Sequence, residues 1–263
     1  MICGAGSFSR LALAEIQKEA CDCVVAGIEG QADPGLEDGP YPFVWLRAGE
    51  INRLVSFFKT HDITQAIMVG KINPLLVYRL ESWDPDALKL LRIAGSGSPT
   101  ELIGLVIGYL AERGIETISP PFLFESYFCR EGPLTRNLPS IEAESDIVFG
   151  LKAARTMADL DIGQTVVVKG RAVVAVEGMD GTDETVRRAG KLAGTGSVVV
   201  KVGRTRQDLR IDIPAVGLDT LKALADSGAA VLAIEADKVV FFQREAALDL
   251  AEARGIVVVA RRV

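Results

Sequence analysis

The sequence contains little histidine and cysteine, and this scarcity excludes several kinds of catalytic and metal site. Its 263 residues include one histidine and four cysteines, and no two cysteines have C-x-x-C spacing. A zinc site of cysteine and histidine ligands is therefore not expected. A Ser-His-Asp triad would need His61, which follows a helical pattern and is expected in a surface loop.

The chain also lacks a surplus of positive charge and long hydrophobic runs. Its formal net charge is −6, whereas nucleic-acid-binding proteins usually carry a basic surplus, so we expect no nucleic-acid partner. The longest apolar runs, such as Ile103–Ala111, are too short to span a membrane. The segment Met1–Arg10 has no charged region followed by an apolar stretch, so no signal peptide is predicted. We therefore expect a soluble, cytoplasmic protein.

Hydrophobic residues make up 49% of the chain, which favours a well-packed globular protein. The first half alternates between strand-like and helix-like segments, which is typical of a mainly parallel sheet covered by helices. A proline-punctuated stretch at 119–144 then breaks the pattern, and two segments that resemble hairpins follow at 164–177 and 230–245.

The fold class predicted from these patterns is α/β, with two α/β domains. The N-terminal domain, residues 1–132, is expected to be Rossmann-like, with a mainly parallel sheet that binds a nucleotide or phosphate. Residues 133–143 are expected to form a linker. The C-terminal domain, residues 144–263, is expected to be catalytic and to contain a mixed sheet with hairpins and helices.

Two glycine-containing segments of the first half are candidates for contact with a phosphate. Gly4-Ala5-Gly6-Ser7-Phe8-Ser9 looks like a truncated dinucleotide fingerprint, and Glu29 is a partial match to its ribose-binding acid. Val69-Gly70-Lys71 ends a predicted strand, where ligands collect in α/β sheets. The alternatives are a simple tight turn and a solvated lysine. The candidate binding residues are Gly4, Gly6, Ser7, Gly70 and Lys71.

Acidic residues are concentrated at one junction of the second half. The segment Glu177–Glu184 has four acids in eight residues. Carboxylates at a turn suit a hard cation such as Mg²⁺. The alternative is an ordinary helix start, with Thr182 as the N-cap and the acids facing the helix dipole.

Residues 200–217 contain a candidate catalytic segment. Asp208, Arg210 and Asp212 alternate with aliphatic residues, which predicts a strand with all three charged side chains on one face. An arginine can stabilise phosphoryl oxygens, while carboxylates hold Mg²⁺ or orient a water. The pattern therefore suits metal-assisted hydrolysis of a phosphoanhydride, against the alternative of a solvated edge strand.

Several segments resemble the LpxI-type UDP-2,3-diacylglucosamine pyrophosphatases. DIGQTVVVKGRAVVAVEGMDGTDETVRRAG and VVVKVGRTRQDLRIDIPAVGLDT are similar to the family's carboxyl-terminal domain, and GAGSF and MVGKINP are similar to its amino-terminal half. The resemblance implies hydrolysis of UDP-2,3-diacylglucosamine to 2,3-diacylglucosamine 1-phosphate and UMP, a cytoplasmic step toward lipid A. It also implies Mg²⁺ as cofactor and the substrate between two domains. The acylated substrate leaves open a peripheral contact with the inner membrane.

The resemblance and the chemistry of the residues together suggest roles for individual residues. Asp212, two residues before Pro214, is in the position of the family's essential aspartate. Catalysis is assigned to Asp212 with Asp208 and Arg210, and the metal to Asp212 and Asp183. The substrate-binding residues expected in the second half are Gln164, Thr182, Lys201 and Gln207.

Two other functions remain open from the residues alone. The GAGSFS turn would also suit a nucleotide-dependent oxidoreductase, which would need no Mg²⁺. A non-catalytic nucleotide-sugar-binding protein would bind tightly and release no UMP. The sequence does not indicate an oligomeric state.

Overall fold

The computed structural model describes residues 1–6, 8–18, 21–73, 80–94, 99–119 and 124–263. Their contacts divide the chain into two compact units. The first contains Met1–Leu123 and Leu209–Ile211, and the second contains Phe124–Asp208 and Asp212–Val263. Both units are α/β, so the predicted fold class is confirmed. The predicted linker at 133–143 stays a prediction.

The first unit is built on parallel strands with helices between them. Its strands are β1 (Ile2–Cys3), β2 (Val25–Ile28), β3 (Phe43–Leu46), β4 (Gln65–Ala66), β5 (Met68–Val69) and β6 (Glu116–Thr117), and its helices are α1 (Phe8–Lys18), α2 (Ile51–Thr60), α3 (Pro85–Ala94) and α4 (Pro99–Ala111). The main sheet has the order β3-β2-β1-β5, and all of its pairings are parallel. A separate parallel pair joins β4 and β6.

Helix α2 illustrates how the sequence pattern produces the packing of this unit. Its buried residues are Ile51, Leu54, Val55 and Phe58. Their spacing of three and four residues puts them on one face of a helix, as the periodicity predicts. That face packs into a core that also contains residues of β1, β2 and β3.

Two glycine turns pack against each other where β1 and β5 end. The Gly4 N–H donates to the Val69 carbonyl at 2.8 Å, and Lys71 N–H donates to Ala5 at 2.9 Å. Gly70 has a φ of +87°, and a Cβ there would lie 2.8 Å from the Gly4 carbonyl carbon. A Cβ on Gly4 would lie 2.4 Å from the Lys71 carbonyl oxygen. Backbone occupies the space of both missing side chains, so both positions require glycine.

The second unit is built on a mixed sheet. Its strands are β7 (Gly132–Pro133), β8 (Thr165–Lys169), β9 (Ala172–Val176), β10 (Val198–Lys201), β11 (Ala215–Val216), β12 (Val231–Glu235), β13 (Val240–Phe241) and β14 (Val257–Arg261), and its helices are α5 (Ile141–Asp159), α6 (Thr182–Ala193), α7 (Leu218–Ser227) and α8 (Arg244–Arg254). The sheet order is β7-β14-β12-β10-β8-β9. Strands β10, β12 and β14 are parallel, and the outer strands pair antiparallel.

Helices cover both faces of this sheet, and its strands are therefore apolar on both sides. Val167, Val199 and Leu232 belong to the core on the side of α6, α7 and α8. Their neighbours Val166 and Val200 belong to the core on the side of α5. This alternation follows from the two-residue period of a strand.

The structure corrects two predicted elements of the second unit. The hairpin predicted at 164–177 is confirmed, because β8 and β9 pair antiparallel. The hairpin predicted at 230–245 is wrong: β12 pairs with β10 and β14, and β13 pairs in parallel with β11. The strand predicted through Asp208–Asp212 is also wrong. Residues 202–214 form turns and irregular loop, with a hydrogen bond from Asp212 N–H to the Asp208 carbonyl at 3.2 Å.

Within the described part of the chain, none of the helices combines the length and the apolarity that crossing a bilayer requires.

We predict that Gly70→Ala lowers the free energy of unfolding by about 2 kcal/mol, because a Cβ is strained at positive φ and would meet the Gly4 backbone. Urea unfolding measures this change. Gly108→Ala is the matched control, since a Cβ at this exposed helical position meets nothing within 4 Å. The control should raise stability by about 0.5–1 kcal/mol. Equal midpoints for the two variants would contradict this reading of the turn.

Candidate functional site

The first unit brings its predicted phosphate-contacting residues together at one sheet edge. Strand β1 lies between β2 and β5, so the strands that follow β1 in the sequence are placed first on one side of it and then on the other. Open α/β sheets bind ligands at such a switch point. The Gly4–Gly6 turn and the Gly70–Lys71 turn both lie there. Ser7 lies outside the described residues.

The two turns leave only part of their backbone available to a ligand. The N–H groups of Gly4 and Ala5 donate to carbonyls of Val69 and Lys71. At Gly6, φ is +98° and a Cβ would meet nothing within 4 Å, so this side of the turn is open. The Lys71 side chain is exposed. Gly4 and Gly70 thus permit close packing, while Gly6 and Lys71 present the surface that a phosphate could reach.

The second unit gathers polar side chains where β10 ends and β8 begins. Lys201, the last residue of β10, pairs with Thr165, the first residue of β8. The Glu177 N–H donates to the Thr165 carbonyl at 2.8 Å, so the end of β9 lies at the same edge. The first residue of α6, Thr182, also reaches it, with its Oγ1 3.4 Å from Thr165 Oγ1.

A buried ion pair lies at this edge, between Lys201 and Glu177. The two side chains are 8% and 12% exposed, with Lys201 Nζ 3.8 Å from Glu177 Oε2. Thr182 connects them, because its Oγ1 accepts from Lys201 Nζ at 2.6 Å and donates to Glu177 Oε1 at 2.7 Å. The other Glu177 oxygen accepts from the Gln164 N–H at 3.0 Å. The pair therefore fixes the backbone of Gln164.

The Glu177 carboxyl is held in its ionised form. Burial disfavours the charge, but the Lys201 ammonium and the hydrogen bonds from Thr182, Thr165 and the Gln164 N–H outweigh it and lower the pKa of Glu177. A buried carboxylate is tolerated only when paired and hydrogen-bonded in this way.

Asp212 is joined to this network through Gln164. The Gln164 Nε2 donates to Asp212 Oδ2. Gln207 closes the loop around the same residue: its Nε2 donates to the Asp212 carbonyl at 2.8 Å, and its Oε1 accepts from the Arg204 N–H at 2.9 Å. Gln164 and Gln207, predicted separately from the sequence, thus both contact Asp212.

The other polar atom of the Gln164 side chain is Oε1. It is buried and accepts no hydrogen bond from the described residues. The orientation of the amide is set by Asp212, since a carboxylate can accept only from the NH₂ side. An unsatisfied buried carbonyl oxygen is unfavourable by about 1–3 kcal/mol. Its position beside a carboxylate therefore favours a ligand that supplies a donor or a cation.

The loop that carries Asp212 is anchored at its start. The buried Glu235 accepts from the Gly203 N–H at 3.0 Å, and Arg155, which is paired with Glu235, donates to the Gly203 carbonyl at 2.5 Å. Two residues further, the N–H and hydroxyl of Thr205 each donate to Asp159 at 2.7 Å. These bonds tie the loop to the end of α5 and to β12.

Other predicted residues have different positions from those expected. Thr182 is not an N-cap: Gly181 caps α6, and the Thr182 hydroxyl is used by Lys201 and Glu177. Asp208 and Arg210 do not share a strand face with Asp212, because this segment is a turn.

Among the described residues, no group of three or more His, Cys, Asp or Glu side chains is arranged to hold a metal ion. Asp183 is half-buried in the first turn of α6. The assignment of metal to Asp183 and Asp212 therefore stays a prediction.

Sequence reasoning missed the anchors of this site. Glu177 was considered only as one acid among four, and Thr165, Arg155 and Glu235 were not considered. One signal could have found the buried charges. Lys201 follows three valines, Val198–Val200, and Glu235 follows the six apolar residues 229–234, and a charge at the end of a buried strand requires a partner.

We predict that Glu177→Gln lowers the free energy of unfolding by about 3 kcal/mol at pH 7, because Lys201 is left buried without its counter-charge. The matched control is Glu184→Gln, whose carboxylate is 51% exposed and pairs on the surface. The control should change stability by less than about 1 kcal/mol. Identical urea midpoints for the two variants would contradict the role of the pair.

The same variant has a pH signature. The folded-state pKa of Glu177 is lowered, so its stabilisation is complete above the unfolded-state pKa of about 4.3 and is lost as the pH falls through the folded-state value. As the pH is lowered from 5 to 3, the free energy of unfolding of the wild type should therefore fall more steeply than that of Glu177→Gln. The difference between the two slopes should correspond to about one proton.

Comparison with known proteins matches both units to one family. Residues 1–127 match the model of the LpxI N-terminal domain, and residues 130–259 match that of the LpxI C-terminal domain. A curated relative, the UDP-2,3-diacylglucosamine pyrophosphatase LpxI of Caulobacter vibrioides, is 27% identical over 240 residues, which are 86% of this chain and 84% of the relative. The resemblance seen in the sequence is thereby confirmed, and the chain belongs to the LpxI family.

Proposed function

We propose that this protein hydrolyses the pyrophosphate bond of UDP-2,3-diacylglucosamine, with Mg²⁺, to 2,3-diacylglucosamine 1-phosphate and UMP. The observation that carries the proposal is the contact of Asp212 with Gln164, whose Oε1 is buried without a partner among the described residues. Membership of the LpxI family supports it, as does the activity named for the Caulobacter relative.

Asp212 is the proposed catalytic carboxylate. Hydrolysis of a phosphoanhydride needs a water oriented toward phosphorus and an acceptor for its proton as the bridging P–O bond breaks. Asp212 is half-buried, and Gln164 and Gln207 hold its side chain and its carbonyl. A carboxylate held in this way orients the water and accepts its proton. Arg210 stays the predicted source of the positive charge that stabilises the phosphoryl oxygens.

The donor set beside Asp212 fits Mg²⁺. The Asp212 carboxylate and the side-chain Oε1 of Gln164 are both hard oxygen donors, and the other polar atom of the same amide, Nε2, donates to Asp212. Mg²⁺ is usually bound by one or two carboxylates together with waters and substrate phosphates, so a cluster of three acids is not required. Asp183 is the proposed second acid. When bound, Mg²⁺ would neutralise charge on the diphosphate.

Thr182 and Lys201 contribute to the proposed site from inside the protein. The Lys201 ammonium is enclosed and is committed to Thr182 and Glu177. Its charge therefore helps to hold Glu177 in place, Glu177 in turn holds the Gln164 backbone, and Gln164 contacts Asp212.

In the first unit, we propose that Gly6 and Lys71 contact a phosphate of the substrate. Gly4 and Gly70 permit this by letting the two turns pack closely. A peripheral contact with the inner membrane, implied by the two acyl chains of the substrate, stays a prediction, as does cytoplasmic localisation.

The experiment is an assay of UMP release from UDP-2,3-diacylglucosamine. We predict that Asp212→Asn lowers the rate of UMP release by at least about a hundredfold, because an amide can still accept the bond from Gln164 but cannot take up a proton. Chelation of divalent cations should stop release by the wild type, and added Mg²⁺ should restore it.

Asp219→Asn is the control for this assay, since it also removes a carboxylate of the second unit but from an exposed helical position. It should retain the wild-type rate. An active Asp212→Asn variant would refute the assignment of Asp212. A wild-type protein that binds the substrate without releasing UMP would favour a binding protein, and protection by NAD(P) without a need for Mg²⁺ would favour an oxidoreductase.

A further inference from the structure

Helix α5 and its two ends carry many exposed apolar side chains. The inner face of the helix packs on the sheet of the second unit and buries Ile147, Leu151 and Ala154. Among the described residues, twelve large hydrophobic side chains are exposed, and six of them lie within residues 138–162. These six, which are 38–85% exposed, are Leu138, Ile141, Val148, Phe149, Leu160 and Ile162. Exposed apolar residues concentrated in this way mark an interaction surface.

The side of α5 that points away from the sheet forms a continuous stripe, here called the outer face. Its members are exposed and lie three or four residues apart, which puts them on one side of a helix. They are Ile141, Ser145, Val148, Phe149, Lys152 and Thr156.

The two hydroxyl groups in this stripe are satisfied inside the helix. Ser145 Oγ donates to the Ile141 carbonyl at 3.1 Å, and Thr156 Oγ1 donates to the Lys152 carbonyl at 3.0 Å. A buried hydroxyl is unfavourable only when it lacks a partner. A second molecule can therefore cover the outer face without leaving either hydroxyl unpaired.

The outer face is complementary to itself when two copies of α5 pack antiparallel about a two-fold axis. In such a pair, positions equally far before and after the midpoint lie opposite each other. With the midpoint at the level of Ile147, the small Ser145 lies opposite the large Phe149. The same midpoint puts Glu142 opposite Lys152, and these two exposed residues form no ion pair within the described part of the chain. One axis thus matches both shape and charge.

The charges of α5 favour a second copy over a lipid surface. Helices that lie on membranes combine an apolar face with a polar face rich in lysine and arginine. The exposed charged residues of α5 are Glu142, Lys152 and Asp159, which give no basic surplus. Opposite charges at equal distances from one midpoint are instead what an interface between identical helices requires.

We infer that the outer face of α5 binds a second copy of this chain as an antiparallel helix pair, with Ser145 against Phe149 and Glu142 against Lys152. The 19 residues of α5 give a length of about 28 Å. One helix face is smaller than the roughly 800 Å² per partner of a standard interface, so we expect a dissociation constant of roughly micromolar size. The inference does not depend on the proposed hydrolysis.

Sedimentation equilibrium of the full chain measures this association. Between about 1 and 200 µM, the wild type should shift from monomer toward dimer. Lys152→Glu puts like charges opposite each other twice in each dimer, and it should weaken the association by at least about tenfold. Combining Glu142→Lys with Lys152→Glu restores opposite charges, and the dissociation constant should return to within about threefold of the wild-type value.

Lys191→Glu is the matched control, because it reverses the charge of another exposed lysine, in the last turn of α6. It should associate like the wild type. Equal weakening by Lys191→Glu, or no recovery in the combined charge swap, would overturn the inference. A wild type that stays monomeric over the whole range would also overturn it, and binding of that monomer to phospholipid vesicles would assign the outer face to lipid.

Disulfide cross-linking tests the antiparallel orientation. Glu142→Cys and Lys152→Cys in one chain put two thiols about 15 Å apart along the helix, which a disulfide within one copy cannot span. Between two copies paired as inferred, these positions lie opposite each other. Mild oxidation should therefore give a covalent dimer of the combined variant but not of either single variant, and all three have the same native cysteines. Cross-linking of the single variants, or none in the combined variant, would overturn the antiparallel pair.

Discussion

A buried ion pair, Lys201 with Glu177, is the interaction on which the candidate site of the second unit depends. Lys201 ends β10 and Glu177 follows β9, and the other residues of both strands are apolar. Leaving either charge there without the other would be strongly unfavourable. Thr182 fills the gap between them. The pair also connects to Asp212, because Glu177 accepts from the Gln164 backbone N–H and the Gln164 side chain donates to Asp212.

The two units use strand ends in different ways. In the first unit the contact at the sheet edge is made by backbone, and it works because Gly4 and Gly70 have no side chains. In the second unit the contact is made by side chains, and the loop that presents Asp212 is held by Arg155 and Glu235 through both polar groups of Gly203. The first arrangement suits contact with an extended anion, and the second suits placing one carboxylate accurately.

The parts predictable from the sequence were those set by local pattern. The glycine turn after β1, the glycine after β5, and the periodicity of α2 each follow from a few neighbouring residues. The segment around Asp208–Asp212 misled the prediction, because alternating polar and apolar residues also occur in a turn. The residue pattern of this segment does not indicate that the Gln207 side chain bonds the Asp212 carbonyl and closes the turn.

Long-range pairing accounts for the other failures. Val240 and Phe241 look like the second strand of a hairpin, but they pair with Ala215 and Val216. Likewise, the link between Gln164 and Asp212 joins residues 48 positions apart. Propensity and spacing carry no information on such partners, although the resemblance to a family did point to both residues.

Because Glu177 holds the Gln164 backbone and the Gln164 side chain holds Asp212, we expect Glu177 to affect the position of Asp212 through Gln164. The most direct measurement is a double-mutant cycle on the rate of UMP release, with Gln164→Met, Glu177→Gln and the combined variant, under conditions in which all are folded. We expect the combined variant to be no slower than Gln164→Met alone, because Glu177 then has no Gln164 side chain left to position. A combined loss equal to the product of the two single losses would contradict it.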